Sequence, residues 1–371
     1  MHSKGLLCIS TRSFAKDSAP SRLTKAICIG LVVKMYRLPF AISLEKTSNL
    51  LKTIKNEFAL DTNEITLARN LLETGLPPLV RPQILSYLFG ISLSLLKSIS
   101  SNPDLHYRRY RIHKASRGYR NIEAPRRFLK IVQRWIYDHI LSDTSLPSSV
   151  HGFVPDKDIF SNVQPHLRSK NIMVIDIKDF FPSIKQKQVK HVFKELGFPL
   201  KVTIILTNLC TLDGRLPQGA PTSPALANII FSPVDNQLIN LAKEWECEYT
   251  RYADDLVFSG NMRFTNKHKL SVIKIIEETG FRINPRKTRI IGSGGRQIVA
   301  GLVANEKGLP PRLKRMEWRA MFHQASLDPK KFKGEGLKLM GIAAFVNKYN
   351  SILSNQYKEV AREVIKCESH N

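Results

Sequence analysis

Between residues 44 and 101 apolar side chains recur at spacings of three and four: Leu50, Leu51, Ile54 and Phe58, then Ile84, Leu88, Ile91 and Leu95. That period lines one face of successive helices, so the stretch is predicted to be a helical region. From Tyr107 to Ile122 the pattern changes to basic and apolar positions in alternation. Tyr110 and Ile112 lie on one arm, Tyr119 and Ile122 on the other, and Arg117-Gly118 between them. This predicts a basic β-hairpin. A helix is expected next, from Arg127 to Leu141, carrying Lys130, Arg134 and Trp135.

The middle of the chain interleaves the two periods. Ile172 to Ile177 reads as an apolar strand ending in acid, Gln188 to Gly197 as a helix closed by glycine, and Ser223 to Leu241 as a long helix. Tyr249 to Ser259 reads as a hairpin with its polar tip at Ala253-Asp254-Asp255, and Lys269 to Thr279 as an amphipathic helix closed by Gly280. Beyond Pro310 the pattern is helical and basic, from Arg312 to the C-terminus. No internal repeat interrupts this order. Strands and helices mixed in the centre, with helices at both ends, predict an α+β core with two helical appendages.

Charge narrows the function classes. Lys and Arg number 57 against 31 acids, a net +26 over 371 residues. Solubility does not require that excess, and it is the footprint of a protein that follows a phosphate backbone. A ribosome-associated or membrane-surface protein is the other reading of charge alone. The five cysteines (Cys8, Cys28, Cys210, Cys247 and Cys367) are scattered, which argues against a zinc module or disulfide framework and fits a reducing cytoplasm. The apolar run Ala26 to Val33 falls well short of the ~18 residues of a membrane span, so no membrane partner is expected. Residues 1 to 43 are expected to be a basic arm, disordered or, over residues 1–34, upstream of a true start at Met35, with a transit peptide the other reading of the first 36 residues.

Three carboxylates carry the candidate chemistry. Asp176 ends the strand Val174-Ile175-Asp176, and Asp254 and Asp255 sit at a hairpin tip between Tyr252 and Leu256. Adjacent carboxylates repel unless a cation neutralises them. Hard divalent ions prefer such oxygens, and Mg²⁺ takes one or two carboxylates together with substrate phosphates. If the two segments are neighbouring strands, a two-metal site about 3.5–4 Å across becomes available. Asp179, three residues along an extended strand, is expected on the opposite face from Asp176. Taken alone, Asp254-Asp255 also reads as a solvated turn.

Order and context distinguish these readings. Asp176 with Phe180-Phe181-Pro182-Ser183, then Leu216-Pro217-Gln218-Gly219 with Ser223-Pro224, then Tyr252-Ala253-Asp254-Asp255, then Gly280-Phe281 with Asn284 to Lys287, resemble in sequence the motifs of the reverse transcriptases. The likeness runs from about Tyr107 to Asn305. Asn162-Val163-Gln164-Pro165-His166 and Val299-Ala300-Gly301 resemble two retron signatures, each with one departure: Val for Ala in the first, Ala for Thr in the second. Arg120 to Pro125, Gln133 to Ile136 and His151-Gly152-Phe153 add to the likeness to the retron enzymes.

The resemblance implies a right-hand polymerase with fingers, a ferredoxin-like palm and a helical thumb. The implied divisions are the arm at 1–43, a helical region at 44–106, fingers and palm at 107–305, and a basic thumb at 306–371. Asp176, Asp254 and Asp255 would be catalytic and hold two Mg²⁺. Phe181 matches the position under the incoming sugar, although Phe180 and Phe181 also read as core. Gln218 and Gly219 would let the backbone approach the nucleotide, and Arg120, Lys130 and Lys287 would meet its phosphates. RNA contacts are implied for Asn162, His166, Val299, Gly301, Arg312, Arg315, Trp318 and Arg319.

The implied activity copies part of a structured non-coding RNA into DNA from deoxynucleoside triphosphates. A 2′-hydroxyl in that RNA would prime synthesis, giving a branched RNA–DNA hybrid used in antiphage defence with a separately encoded effector protein. Two other readings stand beside it: a non-catalytic RNA-binding scaffold, and an untemplated polymerase of the abortive-infection type.

Overall fold

The computed structural model describes residues 47–113 and 118–369. The arm expected at 1–43 and Arg117 in the hairpin turn lie outside these residues. Two compact units form, each from two separate stretches of chain. One combines the described residues up to Ser145 with Phe181–Ile230, and the other combines Leu146–Phe180 with the described residues from Phe231 onward.

The first unit opens with helices α1 (Thr47–Phe58), α2 (Thr62–Glu73), α3 (Pro82–Phe89) and α4 (Leu93–Ser101), as the three-and-four spacing predicts. Asp61 caps α2 in a reciprocal box with Glu64. Leu50, Ile54, Ile84, Leu88 and Leu96 face inward and are buried. The hairpin follows as β1 (Tyr107–His113) and β2 (Tyr119–Pro125), paired antiparallel from Tyr107↔Pro125 to His113↔Tyr119. Helix α5 (Arg127–Ile136) continues into a π-helical turn, Tyr137–Leu141. Its buried Gln133 Nε2 donates to Tyr107 Oη and to the Leu209 carbonyl, both at 2.8 Å.

The second unit is built on four antiparallel strands in the order β4-β5-β3-β6: β3 (Asn171–Asp176), β4 (Glu248–Tyr252), β5 (Asp255–Gly260) and β6 (Arg289–Gly292). Short α6 (Ile159–Val163) precedes β3. Central β3 is buried from Ile172 to Asp176, which explains why it reads as a continuous apolar run rather than an alternation. Ile172, Val174 and Val257 pack with Val163, Val299, Leu302 and Ala304. Val299 and Leu302 belong to the small hairpin β7 (Ile298–Val299) and β8 (Leu302–Val303).

Between and beyond these lie α7 (Phe180–Ser183), α8 (Gln186–Glu195), α9 (Leu200–Cys210), α10 (Ser223–Glu244) and α11 (Asn266–Glu278). The chain ends in α12 (Arg312–Leu327), α13 (Gly336–Val346) and α14 (Ser351–Ser369), which share a core of Phe322, Leu339, Val346, Tyr357 and Val364. The Phe322 and Tyr357 rings stack with centroids 3.7 Å apart. Mixed helix and sheet make the fold α+β, as expected.

Among the described residues no single helix is long and apolar enough to cross a membrane. The pair α3 and α4 reaches that length only jointly, across a 104° bend. Its apolar residues Ile84, Leu85, Leu88, Leu96 and Ile99 are already buried in the protein.

Candidate active site

The sheet register brings the three aspartates together. β3 pairs with β5 so that Asp176 lies directly opposite Asp255, and Tyr252 pairs with Asp255 across the β4–β5 turn. Only Ala253 and Asp254 remain for the turn. Ala253 takes the left-handed backbone, φ 57°, as the first residue of a primed hairpin turn requires. The Ile177 amide donates to the Asp254 carbonyl at 2.9 Å, and the Asn284 amide to the Asp176 carbonyl at 2.7 Å. Asp176 is buried while Asp254 and Asp255 are half-buried.

Like charges opposite each other on a sheet are destabilising. Burial first, then the Asp254 and Asp176 charges, push the Asp255 carboxyl up to about 6. Lys287 answers part of this charge, its Nζ lying 2.6 Å from Asp176 Oδ2. Burial opposes the Lys287 charge. The hydrogen bond to Asp176 and the three carboxylate charges outweigh it and hold the ammonium above its ordinary value.

Among the described residues no group of three or more His, Cys, Asp and Glu side chains forms a ready-made metal cage. An all-oxygen, like-charged set of this kind nevertheless fits a hard divalent cation whose other ligands come from substrate phosphates. Asp179 corrects an expectation: β3 stops at Asp176, and Asp179 is exposed at φ 48° in the turn that follows. The strand-face argument therefore does not apply to it.

In the first unit, Gln218 and Gly219 lie against β2. The Glu123 amide donates to the Gln218 carbonyl at 2.8 Å. Gly219 has φ 133°, and a Cβ there would stand 3.0 Å from the Glu123 carbonyl oxygen, so both conformation and space demand glycine. Arg215 grips Glu123 through two bonds of 2.8 and 2.7 Å. Burial works against the Glu123 charge, but Arg215 outweighs it and holds the carboxyl below its usual range. Arg120 is exposed on β2 opposite Ile112, and Lys130 is exposed on α5. Phe180 is core, packing on Phe231 and Phe281, whereas Phe181 is half-buried.

Three of the residues expected at RNA are interior. Asn162 and His166 are fully buried and Val299 is 1% exposed. His166 bridges Ser259 Oγ and Thr250 Oγ1, both at 2.7 Å, so it ties β4 to β5 and presents no edge to RNA. Burial above all pushes its pKa down to about 3. Neither amide atom of Asn162 has a hydrogen-bond partner among the described residues. Gly301 is exposed at φ 84° in the β7–β8 turn.

On α12, Arg312 and Arg319 are exposed. Arg315 is half-buried and donates to the Pro310 carbonyl at 3.1 Å. Trp318 packs edge-on against Phe345. Four further residues that shape these loops, Glu123, Arg215, Asp235 and Arg251, were not picked out as functional from sequence. The sequence carries no signal for the Arg251 pair: Arg251 stands between Thr250 and Tyr252 in a mixed strand, and Asp235 lies sixteen residues away.

Residues 112–325 match the family model described as reverse transcriptase (RNA-dependent DNA polymerase). The Retron Ec86 reverse transcriptase of Escherichia coli is 33% identical over 298 residues, spanning 79% of this chain and 91% of the relative. The Retron Mx65 reverse transcriptase of Myxococcus xanthus is 32% identical over 299 residues, 74% of this chain and 70% of the relative.

Proposed function

We propose, from the premise that this chain belongs to the retron-type reverse transcriptases and is an RNA-directed DNA polymerase, that it copies its own structured non-coding RNA into single-stranded DNA. The supporting observation is the register that sets Asp176 against Asp255 beside Asp254, a concentration of negative charge that Lys287 answers only in part and that suits a cation.

In this reading the chain divides into fingers, palm and thumb. Asp176, Asp254 and Asp255 would hold two Mg²⁺ ions, which when bound activate the attacking 3′-hydroxyl and neutralise the departing pyrophosphate. Gly219 brings backbone close to the nucleotide, and Gln218 helps to orient it. Arg120, Lys130 and Lys287 offer cationic partners for the triphosphate, a mechanism of positioning and charge neutralisation. Phe181 excludes a 2′-hydroxyl from the incoming sugar. Arg312, Arg315, Trp318 and Arg319, with the Gly301 turn, face RNA.

Priming would use a 2′-hydroxyl within that RNA and leave a branched RNA–DNA hybrid. The hybrid would serve antiphage defence with a separately encoded effector protein.

The test is extension by purified protein with labelled deoxynucleotides, Mg²⁺ and the RNA co-expressed from its own locus. A branched product whose RNA part is RNase-sensitive is expected. Extension on any primed RNA without branching would remove the priming proposal, DNA made without RNA would favour an untemplated polymerase, and no extension would leave an RNA-binding scaffold. Replacing Phe181 by Ala is expected to admit ribonucleotides, and unchanged sugar discrimination would remove that role.

A further inference from the structure

Arg251 heads the large side chains that are fully buried, which is an unusual place for a guanidinium. Its Nε and Nη2 donate to the two carboxylate oxygens of Asp235, at 2.8 and 2.7 Å, and Asp235 is equally buried. Tyr249 Oη donates to the same carboxylate at 2.8 Å. Arg251 Nη1 donates to the Ala253 carbonyl at 3.2 Å, inside the turn that carries Asp254. The guanidinium carbon lies 4.9 Å from the Phe231 ring centre and 5.8 Å from that of Phe180, four residues beyond Asp176. The backbone of the same strand is fixed as well: the His151 amide donates to the Arg251 carbonyl at 2.8 Å. Gly152 sits so close that a Cβ would be 2.4 Å from the Ala253 nitrogen.

From this geometry we infer that the Arg251–Asp235 pair is a positioning device for the carboxylate site. It holds the left-handed Ala253 turn and the exit of β3 in one arrangement. The inference rests on the reading of Asp254 and Asp255 as the metal-holding pair. Core stability alone gives little reason for the pair, because desolvating two charges offsets most of their attraction and apolar residues of similar volume fill such places as well or better. An apolar replacement cannot bond the Ala253 carbonyl. One guanidinium therefore links α10, β4, the turn and the segment after Asp176. Arg251 and Asp235 are positioning residues, acting through the turn rather than touching substrate.

The experiment separates holding the fold from aiming the carboxylates. An apolar triple variant, Asp235→Leu with Tyr249→Phe and Arg251→Met, removes the pair without leaving a charged partner behind and takes away the donor to the Ala253 carbonyl. Arg251→Lys keeps the charge beside Asp235 but loses the fork that reaches Ala253. Both are compared with wild type and with Asp254→Asn for Tm, primed-RNA affinity, kcat, KM for deoxynucleotide, and hydrogen exchange of the 249–258 peptide.

Unchanged Tm and RNA affinity are expected for the triple variant, with kcat down by roughly 100-fold, KM little altered and faster exchange in that peptide. Arg251→Lys should fall between. If the triple variant fails to fold, Arg251→Lys decides on the same readouts. Wild-type kcat and wild-type exchange in a folded variant overturn the inference. Continued extension by Asp254→Asn would instead overturn the underlying reading of the site.

Discussion

The loop from Leu212 to Gly219 and the turn at Ala253-Asp254 both place charge beside a strand end, yet in opposite ways. Along the loop the signs alternate. Arg109 meets Asp104 at 2.6 Å and Asp213 at 2.8 Å, and Arg215 meets Glu123 in a two-bonded grip. Each carboxylate there lowers the energy of its neighbour. Around the turn the signs repeat, with Asp176, Asp254 and Asp255 converging and the Lys287 ammonium bonded to Asp176. Charge arranged in favour of stability indicates scaffolding, whereas charge gathered against it marks a candidate functional site, which the proposed reading fills with a cation.

The sharpest way to break this contrast is Asp254→Asn. Extension should fall by at least about 100-fold, while Tm stays level or rises because a like-charge repulsion is relieved. Labelled-nucleotide incorporation and thermal unfolding check the two halves. A large loss of Tm would show that the turn was scaffolding after all. Glu123→Ala should behave in the reverse sense: leaving the half-buried Arg215 with only Asp213, 3.8 Å away, costs about 1–3 kcal/mol, read as a lower denaturation midpoint. On the proposed role of Gln218, nucleotide binding should weaken too, because without the Arg215 grip β2 no longer holds the Gln218 carbonyl in place.

Acid separates the two units in another way. Burial chiefly pushes His166 down to about 3 and His151 down to about 4, whereas imidazoles in the unfolded chain titrate near 6.5. Below about 6.5 the unfolded chain takes up protons that the native one refuses. This stability is therefore complete at neutral pH and falls as pH drops, by about tenfold in the folding constant per pH unit for each proton. Glu123 has a lowered pKa, so its contribution persists at pH above its ordinary carboxylate range and disappears only under stronger acid. Peptide-resolved hydrogen exchange from pH 7.5 to 5, corrected for intrinsic rates, should show the His151 and His166 unit loosening first. The smallest effect is expected from Arg109→Ala, whose partners are exposed: about 0.2–1 kcal/mol, less in high salt.

The parts legible in the sequence were those in which period or motif order dominates. The helices before Tyr107, the basic hairpin and the strand ending in Asp176 follow directly from spacing. Helix α9 did not, because Val202-Thr203-Ile204-Ile205-Leu206 is apolar and β-branched without a visible 3.6 period, Ile204 standing on the exposed side of a helix that buries only one face. The three aspartates were visible as residues, but their mutual approach depended on a register that fixes Asp176 against Asp255. His166 shows the converse. A motif position suggested an RNA contact, and only three-dimensional packing reveals a buried strut between Thr250 and Ser259. Arg251 was hidden for a related reason, since a charge written between Thr250 and Tyr252 gives no hint of an Asp235 partner on a distant helix.

Each unit is assembled from two stretches of chain that are far apart in sequence. For a ribosome-bound chain this sets an order of events. β3 is synthesised long before β5 and β6, the strands that flank it, and closing so long a loop carries an entropy penalty that local helices do not face. The carboxylates can meet only after residue 260 has emerged, and the helices from Arg312 onward come later still. A nascent chain halted before that point would hold a folded helical front and no means of polymerisation.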